Sequence, residues 1–333
     1  MACAAPATES SCFRGESWER AVNAEIVVFG GSAHPYLADE ICSHVGVSRS
    51  PVEITRFAND CLQVQLQANC RERDVYLIQP LVQPVQENLV ELLLMADAAR
   101  GASAGRVTAV MPHYSYARSD KKDAPRISIG GRLVADLLVT AGINRVLTLT
   151  LHSPEVHGFF SVPVDHLHAQ RELAAHFRQR DLSRAVVLSP DLGYAKDAAA
   201  FARRIGVPVA AGSKERFSDS KVAISSIIGE VADRDVIIVD DEIARGTTVI
   251  ELLSVLRRQE PRSISVACTH GLFADGALEK LAVQEDISEI VCTNSVPVPL
   301  EHPKLTVLSV APALAEAIRR THDGQSVSAL FDQ

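Results

Sequence analysis

From Glu25 onward, short runs of aliphatic and β-branched residues alternate with longer amphipathic stretches, and this alternation limits the fold more than any other feature. EIVVFG (25–30), VEITRF (52–57), DVYLIQ (74–79), RVTAVMP (106–112) and RVLTLTL (145–151) read as strands. A second series follows: AVVLSPD (185–191), DVIIVDD (235–241), SISVACT (263–269), EIVCT (289–293) and LTVLSV (305–310). Between them, ENLVELLLMADAAR (87–100), SIGGRLVADLLVTAG (128–142), YAKDAAAFARRIG (194–206) and TTVIELLSVLRR (247–258) read as helices. Strands this apolar need cover on both faces, so an α/β fold with two mostly parallel, helix-flanked sheets is expected. The two series predict domains at 23–165 and 166–320, with SVPVDHLHAQREL (161–173) as the crossover. Residues 1–22 are small, polar and unpatterned and read as a mobile tail, and 321–333 as a second tail. No internal repeat is readable.

Bulk properties remove several function classes. The formal charge is −8, which argues against a protein that coats nucleic acid, because such binding neutralises phosphates with Lys and Arg. A few basic groups and a metal ion still suffice to hold a small phosphorylated substrate in an acidic protein. The seven cysteines, Cys3, Cys12, Cys42, Cys61, Cys70, Cys268 and Cys292, are scattered without C-x-x-C spacing. That pattern predicts neither a zinc site nor a disulfide framework and fits a cytoplasmic protein. No apolar run is long enough to span a bilayer, and the N-terminus lacks the pattern of a secretory signal, so no membrane partner is expected.

In open α/β sheets, ligands bind beyond the carboxyl ends of the strands, so the residues just after each strand carry most of the functional information. The most specific segment is VIIVDDEIARGTTV (236–249). An apolar strand ends in Asp240 and Asp241, and Ala244-Arg245-Gly246-Thr247-Thr248 then opens a helix. Backbone N–H groups at a helix start attract anions, Gly246 permits close approach, and the threonine hydroxyls add donors. The acids suit the vicinal hydroxyls of a sugar whose phosphate lies in the loop. An Asp-capped helix after a buried strand is the plainer alternative. His152, directly after RVLTLTL, and Asp191, at the end of VVLSPD, lie at the same kind of edge. Taken alone, the histidine reads as a hydrogen-bonding structural residue and the aspartate as a helix cap.

The segment around Asp240 resembles the PRPP-binding loop shared by phosphoribosyltransferases and PRPP synthetases, D-D-x-x-x-T-G-G-T. Four further segments resemble PRPP synthetases (ribose-phosphate pyrophosphokinases) specifically: FGGSAHPYLADEI (29–41), NLVELLLMADAARGASAGRVTAVMPHYSYARSDKK (88–122), TLTLHSPEVHGFFSVPVDHL (148–167) and LSPDLGYAKDAAAFARRIGVPVAAGSKERF (188–217). Together they span roughly residues 25–320. The resemblance implies two phosphoribosyltransferase-type domains and transfer of the β,γ-diphosphate of ATP to O1 of ribose 5-phosphate. It implies that Lys214 and Arg216 stabilise the transferring group, that His152 and Asp191 bind the Mg²⁺ that carries ATP, and that Asp240, Asp241 and residues 244–248 hold the sugar phosphate together with Arg216. Phe57, Asn59, Asp60, Cys61, Arg118, Ser119 and His152 fall at the family's ATP positions. A homodimer building to a homohexamer is implied as well.

The chain departs from the family at several of these places. Ala244 replaces a third acid, Arg245 a threonine, Cys61 an acid and Ser119 a glutamine, and Thr150 and Ser161 stand at positions often acidic. Two other readings therefore stay open at this level. One is a catalytically silent subunit that regulates a true synthetase. The other is a nucleobase phosphoribosyltransferase, which would require a base-recognising hood.

Overall fold

The computed structural model describes residues 24–218, 221–298 and 301–330, and the side chains of 214–223 and of residue 329 are not described. The tail expected at 1–22 lies outside the described residues. Two sheets form the molecule. The first, in spatial order β2-β1-β5-β6-β7-β8, consists of β1 (Ile26–Gly30), β2 (Arg49–Ser50), β5 (Asp74–Ile78), β6 (Arg106–Met111), β7 (Arg145–Leu149) and β8 (Val164–Leu167), and all its pairings are parallel. The second has the order β11-β10-β9-β12-β13-β14-β15. Its strands are β9 (Ala185–Ser189), β10 (Val209–Ser218), β11 (Lys221–Ile228), β12 (Asp235–Ile243), β13 (Ser263–Gly271), β14 (Ile287–Thr293) and β15 (Leu305–Leu308). They are parallel except for the β10–β11 hairpin.

Each sheet buries both faces, as the apolar runs require. Along β5, Val75 and Leu77 face one core cluster while Tyr76 and Ile78 face another. Along β12, Val236 and Ile238 face one side and Ile237 and Val239 the other. Helices α1 (Pro35–Val45), α2 (Val85–Gly101) and α3 (Gly130–Ala141) cover the first sheet. The second is covered by α4 (Gln170–Phe177), α5 (Ala195–Ile205), α6 (Thr247–Leu256) and α7 (Ala277–Ala282). Among the described residues no helix is long and apolar enough to cross a membrane.

Two features depart from the pattern read in sequence. VEITRF does not join the parallel sheet. It forms β3 (Val52–Arg56), which pairs antiparallel with β4 (Leu62–Leu66) in a separate ribbon. Its polar-apolar alternation suits a ribbon with one covered face. The last helix, α8 (Ala311–His322), returns to the first sheet and packs Leu314, Ala315 and Ile318 among Val28, Leu37 and Ile41. At its end, buried Asp74 holds several partners at once. Arg106 Nε donates to Asp74 Oδ1 at 2.8 Å, Tyr76 OH to Oδ2 at 2.9 Å and His322 Nδ1 to Oδ2 at 2.9 Å.

Asp74→Ala would leave the Arg106 guanidinium buried without its counter-ion and release the end of α8. A loss of roughly 3–5 kcal/mol is expected in urea unfolding, and an unchanged midpoint would contradict the role given to this cluster.

Candidate functional site between two strand edges

Parallel pairing makes every strand of a sheet end at one edge, and here the two carboxyl edges face each other. The first sheet contributes His113 after β6 and Thr150 and His152 after β7. The second contributes Asp191 after β9 and residues 240–248 from β12. Contacts across the junction are side-chain hydrogen bonds. His152 Nδ1 donates to Asp241 Oδ2 at 2.7 Å, and Nδ1 must carry the proton because a carboxylate only accepts. His270 on β13 donates from Nε2 to the Thr150 carbonyl at 3.0 Å and lies edge-on to His113, with ring centroids 4.8 Å apart. His34 reaches the Asn294 carbonyl through Nε2 at 3.0 Å.

Strand alternation divides the acids at the end of β12. Asp241 is buried and turned to His152, whereas Asp240 and Glu242 line a pocket with Arg118, Ala244, Arg245, Gly246, Thr247 and Thr248. Burial pushes Asp240 well above the usual carboxylate range, and the charges of Asp241 and Asp191 push the same way. Burial also acts to raise Asp241, but the hydrogen bonds from His152 and Asp240 outweigh it and hold that carboxyl down at about 2. His152 moves in the complementary direction, since its bond to Asp241 raises it against the effect of burial. The two carboxyls of the pair are thus pushed in opposite directions, as two close carboxylates require.

The loop opens the helix at a glycine. Gly246 has φ +71°, a conformation that a side chain would strain, and it precedes α6 without any side-chain cap. The first-turn N–H groups are therefore left without a side-chain acceptor beside the pocket. Arg245 Nε pairs with Asp275 Oδ2 at 2.8 Å, with both side chains largely in solvent. Asp191 accepts from the Tyr194 N–H at 3.2 Å, immediately before α5, so its capping contact coexists with a place near Asp240.

Lys214 and Arg216 have described backbone only. They pair with Ile224 and Val222 across the β10–β11 hairpin. β10 pairs with β9 only over Val209–Ala211 and then runs on past the carboxyl end of β9, the edge where Asp191 lies. At Gly212 a β-carbon would come within 2.5 Å of the Pro190 carbonyl oxygen, so glycine is required where the hairpin leaves the sheet.

The residues at the ATP positions are dispersed. Phe57, Asn59, Asp60 and Cys61 are exposed at the tip of the β3–β4 ribbon, where Phe57 N donates to the Cys61 carbonyl and Cys61 N to Asn59 Oδ1. Their hydrogen-bond partners are in the ribbon and not in the His152–Asp241 group. Ser119 Oγ accepts from the Gly130 N–H at 2.8 Å, closing the loop onto the start of α3. Arg118, by contrast, reaches the pocket. Ser153, next to His152, donates to Asp120 Oδ2 at 2.7 Å and ties that loop to the site.

Sequence reading missed three residues at the junction: Glu242, His113 and His270. A third acid directly after Asp240-Asp241 was a legible signal for the first. His113 follows β6 at the ligand edge and was readable on the same rule as His152. Nothing local marks His270, whose partners Thr150 and Ser295 are remote in sequence. Among the described residues no group of three His, Cys, Asp or Glu side chains converges as a metal cage.

Residues 26–142 match the family described as the N-terminal domain of ribose phosphate pyrophosphokinase, and residues 214–332 match the phosphoribosyl synthetase-associated domain. A Streptomyces coelicolor protein provisionally given the ribose-phosphate pyrophosphokinase name is 72% identical over 92% of this chain and 98% of its own. A Deinococcus radiodurans ribose-phosphate pyrophosphokinase is 48% identical over 92% of this chain and 98% of its own. The crystal structure of phosphoribosylpyrophosphate synthetase from Mycobacterium smegmatis superposes with a TM-score of 0.85 at 36% identity, covering 90% of this chain and 99% of that one.

Burial holds His270 down at about 4, so it stays neutral in the folded protein and titrates near 6.5 once unfolded. The unfolded chain therefore binds the extra proton, and between about pH 6.5 and 4 this group removes about 1.4 kcal/mol of stability per unit of pH lost. His270→Gln is expected to be less stable at pH 7 but to have a shallower acid slope in urea midpoints at pH 7, 6 and 5. Parallel slopes would contradict this.

Proposed function

The chain belongs to the ribose-phosphate pyrophosphokinase family, and from that membership we propose how its own residues divide the transfer of the β,γ-diphosphate of ATP to ribose 5-phosphate. It is an enzyme of that class, a ribose-phosphate diphosphokinase. The observation that carries the division of labour is the two-sided end of β12. Asp241 fixes His152 of the other sheet, while Asp240 and the uncapped loop line a shared pocket.

In this reading the 5-phosphate binds the first-turn N–H groups and the hydroxyls of Thr247 and Thr248, and Asp240 receives ribose hydroxyls. The O1 hydroxyl then attacks the β-phosphorus, loses its proton, and AMP leaves. Lys214 and Arg216, carried on a hairpin that extends past the end of β9, stabilise the negative charge on the transferring group. Arg118 binds nucleotide phosphate from the opposite wall.

A divalent cation fits the residues present. With Nδ1 committed to Asp241, the other nitrogen of a partly exposed His152 keeps its lone pair, the arrangement in which a carboxylate orients a histidine ligand. The charge of Asp191 adds to the upward push on the Asp240 carboxyl, which a cation beside them would relieve. His152 and Asp191 would hold Mg²⁺, with ATP phosphates and water completing its shell, and the ion would neutralise phosphate charge. A homo-oligomer completes the reading. The exposed ribbon tip with Phe57 and Asn59 is suited to serve a neighbouring copy, and Leu133 and Leu137, one turn apart on α3, are 55% and 41% exposed.

Purified protein given Mg²⁺, ATP and ribose 5-phosphate should release AMP and form PRPP, with no AMP when ribose 5-phosphate is left out. Lys214→Ala should keep ribose 5-phosphate binding by calorimetry while turnover drops roughly a hundredfold or more. Near-normal kcat in that variant would remove the hairpin from the mechanism.

A further inference from the structure

Glu242 directly follows the acid pair, yet it is only 8% exposed. A carboxylate buried this far is tolerated only when paired. Its two oxygens are given to two side chains of the other sheet. Oε1 accepts from Arg118 Nε at 2.7 Å and from Arg118 Nη2 at 2.6 Å, and Oε2 faces His113 Nε2 at 3.3 Å. His113 is itself fixed, with Nδ1 on the Leu81 carbonyl at 2.9 Å. The base of this cluster is rigid, and its outer member is not buried. The Arg118 side chain is 53% exposed and lines the pocket shared with Asp240, Gly246 and Thr248.

Arg118 ends a short 3-10 turn, Ser115–Arg118, which leaves its long side chain many rotamers. An acid from the opposite sheet removes that freedom. Both contacts to Glu242 reach one oxygen through Nε and Nη2, so the Nη1 hydrogens and the second Nη2 hydrogen stay available for phosphate oxygens. Glu242 also stands on the strand that ends in the sugar-phosphate loop.

We infer that Glu242 is a positioning residue for the transfer: it holds the Arg118 guanidinium at the sugar-phosphate pocket as the phosphate-binding group for the nucleotide, so that triphosphate affinity depends on an acid carried by the sugar-binding strand. This rests on Arg118 contacting the nucleotide, as proposed above. Removing the charge of Glu242 frees the guanidinium without touching the loop that holds the sugar phosphate. Glu242 lines the same pocket, but the loop residues that hold the sugar phosphate are unchanged, so the larger effect falls on the nucleotide.

The test is a double-mutant cycle of Glu242→Gln and Arg118→Ala, read as KM for MgATP, KM for ribose 5-phosphate, kcat and Tm. Glu242→Gln is expected to raise KM for MgATP roughly tenfold, with KM for ribose 5-phosphate within about twofold of wild type. In the Arg118→Ala background it should add nothing. Equal rises for both substrates, or a full further loss on top of Arg118→Ala, would overturn the inference. If Arg118→Ala raises KM for MgATP while Glu242→Gln does not, the inference fails and the reading of Arg118 stands. If Arg118→Ala leaves it unchanged, the nucleotide role of Arg118 fails first and the inference with it. Should Glu242→Gln not fold, Glu242→Asp, which keeps the charge but shortens the reach, is read in its place, and an unchanged KM for MgATP there is equally fatal.

Discussion

The hydrogen bond between His152 and Asp241 joins the ends of two strands that belong to different sheets, and the geometry of the site follows from it. Parallel sheets gather their functional residues at one edge. One such edge alone offers a shallow rim. Two edges set face to face make a cleft whose walls come from different sheets, with His152 on one wall and the 244–248 loop on the other. The same bond fixes the tautomer of His152 and keeps Asp241 ionised, so position and protonation state are set together.

Histidine is well suited to this junction. His34 and His270 each span it to a backbone carbonyl, and burial keeps His270 neutral. A neutral ring supplies a donor and an acceptor while adding no charge to a cleft already crowded with carboxylates. Lysine or arginine in their place would compete with His152 and Arg118 for those acids. The arrangement has a price in acid, since protons taken up by the unfolded chain favour it as pH falls.

Charge in the cleft is arranged in layers. Asp241 and Glu242 are each matched by a cationic or hydrogen-bonding side chain from the opposite wall, and against the effect of burial His113 and Arg118 hold Glu242 below the usual carboxylate range. Asp240 faces the pocket, and burial and the charges of Asp241 and Asp191 push its carboxyl well above the usual range. The mismatch lies where substrate hydroxyls and a cation are expected to bind.

Much of this was legible in the sequence. Unbroken apolar strands such as VYLI and VIIV dictate sheets covered on both faces, and the Asp240-Asp241 pair with Gly246 marks a strand end followed by a helix start, because these depend only on local periodicity and backbone freedom. VEITRF was misplaced because alternation gives a strand but not its neighbour, and LQVQL (62–66), short and half polar, gave no strand signal strong enough to pair with it. Which acid serves which partner was decided by tertiary structure alone. Alternation puts Asp240 and Asp241 on opposite faces of β12, but only the approach of the second sheet brings His152 to one and Arg118 to Glu242. These are contacts between residues 89 and 124 positions apart, and no local pattern encodes them.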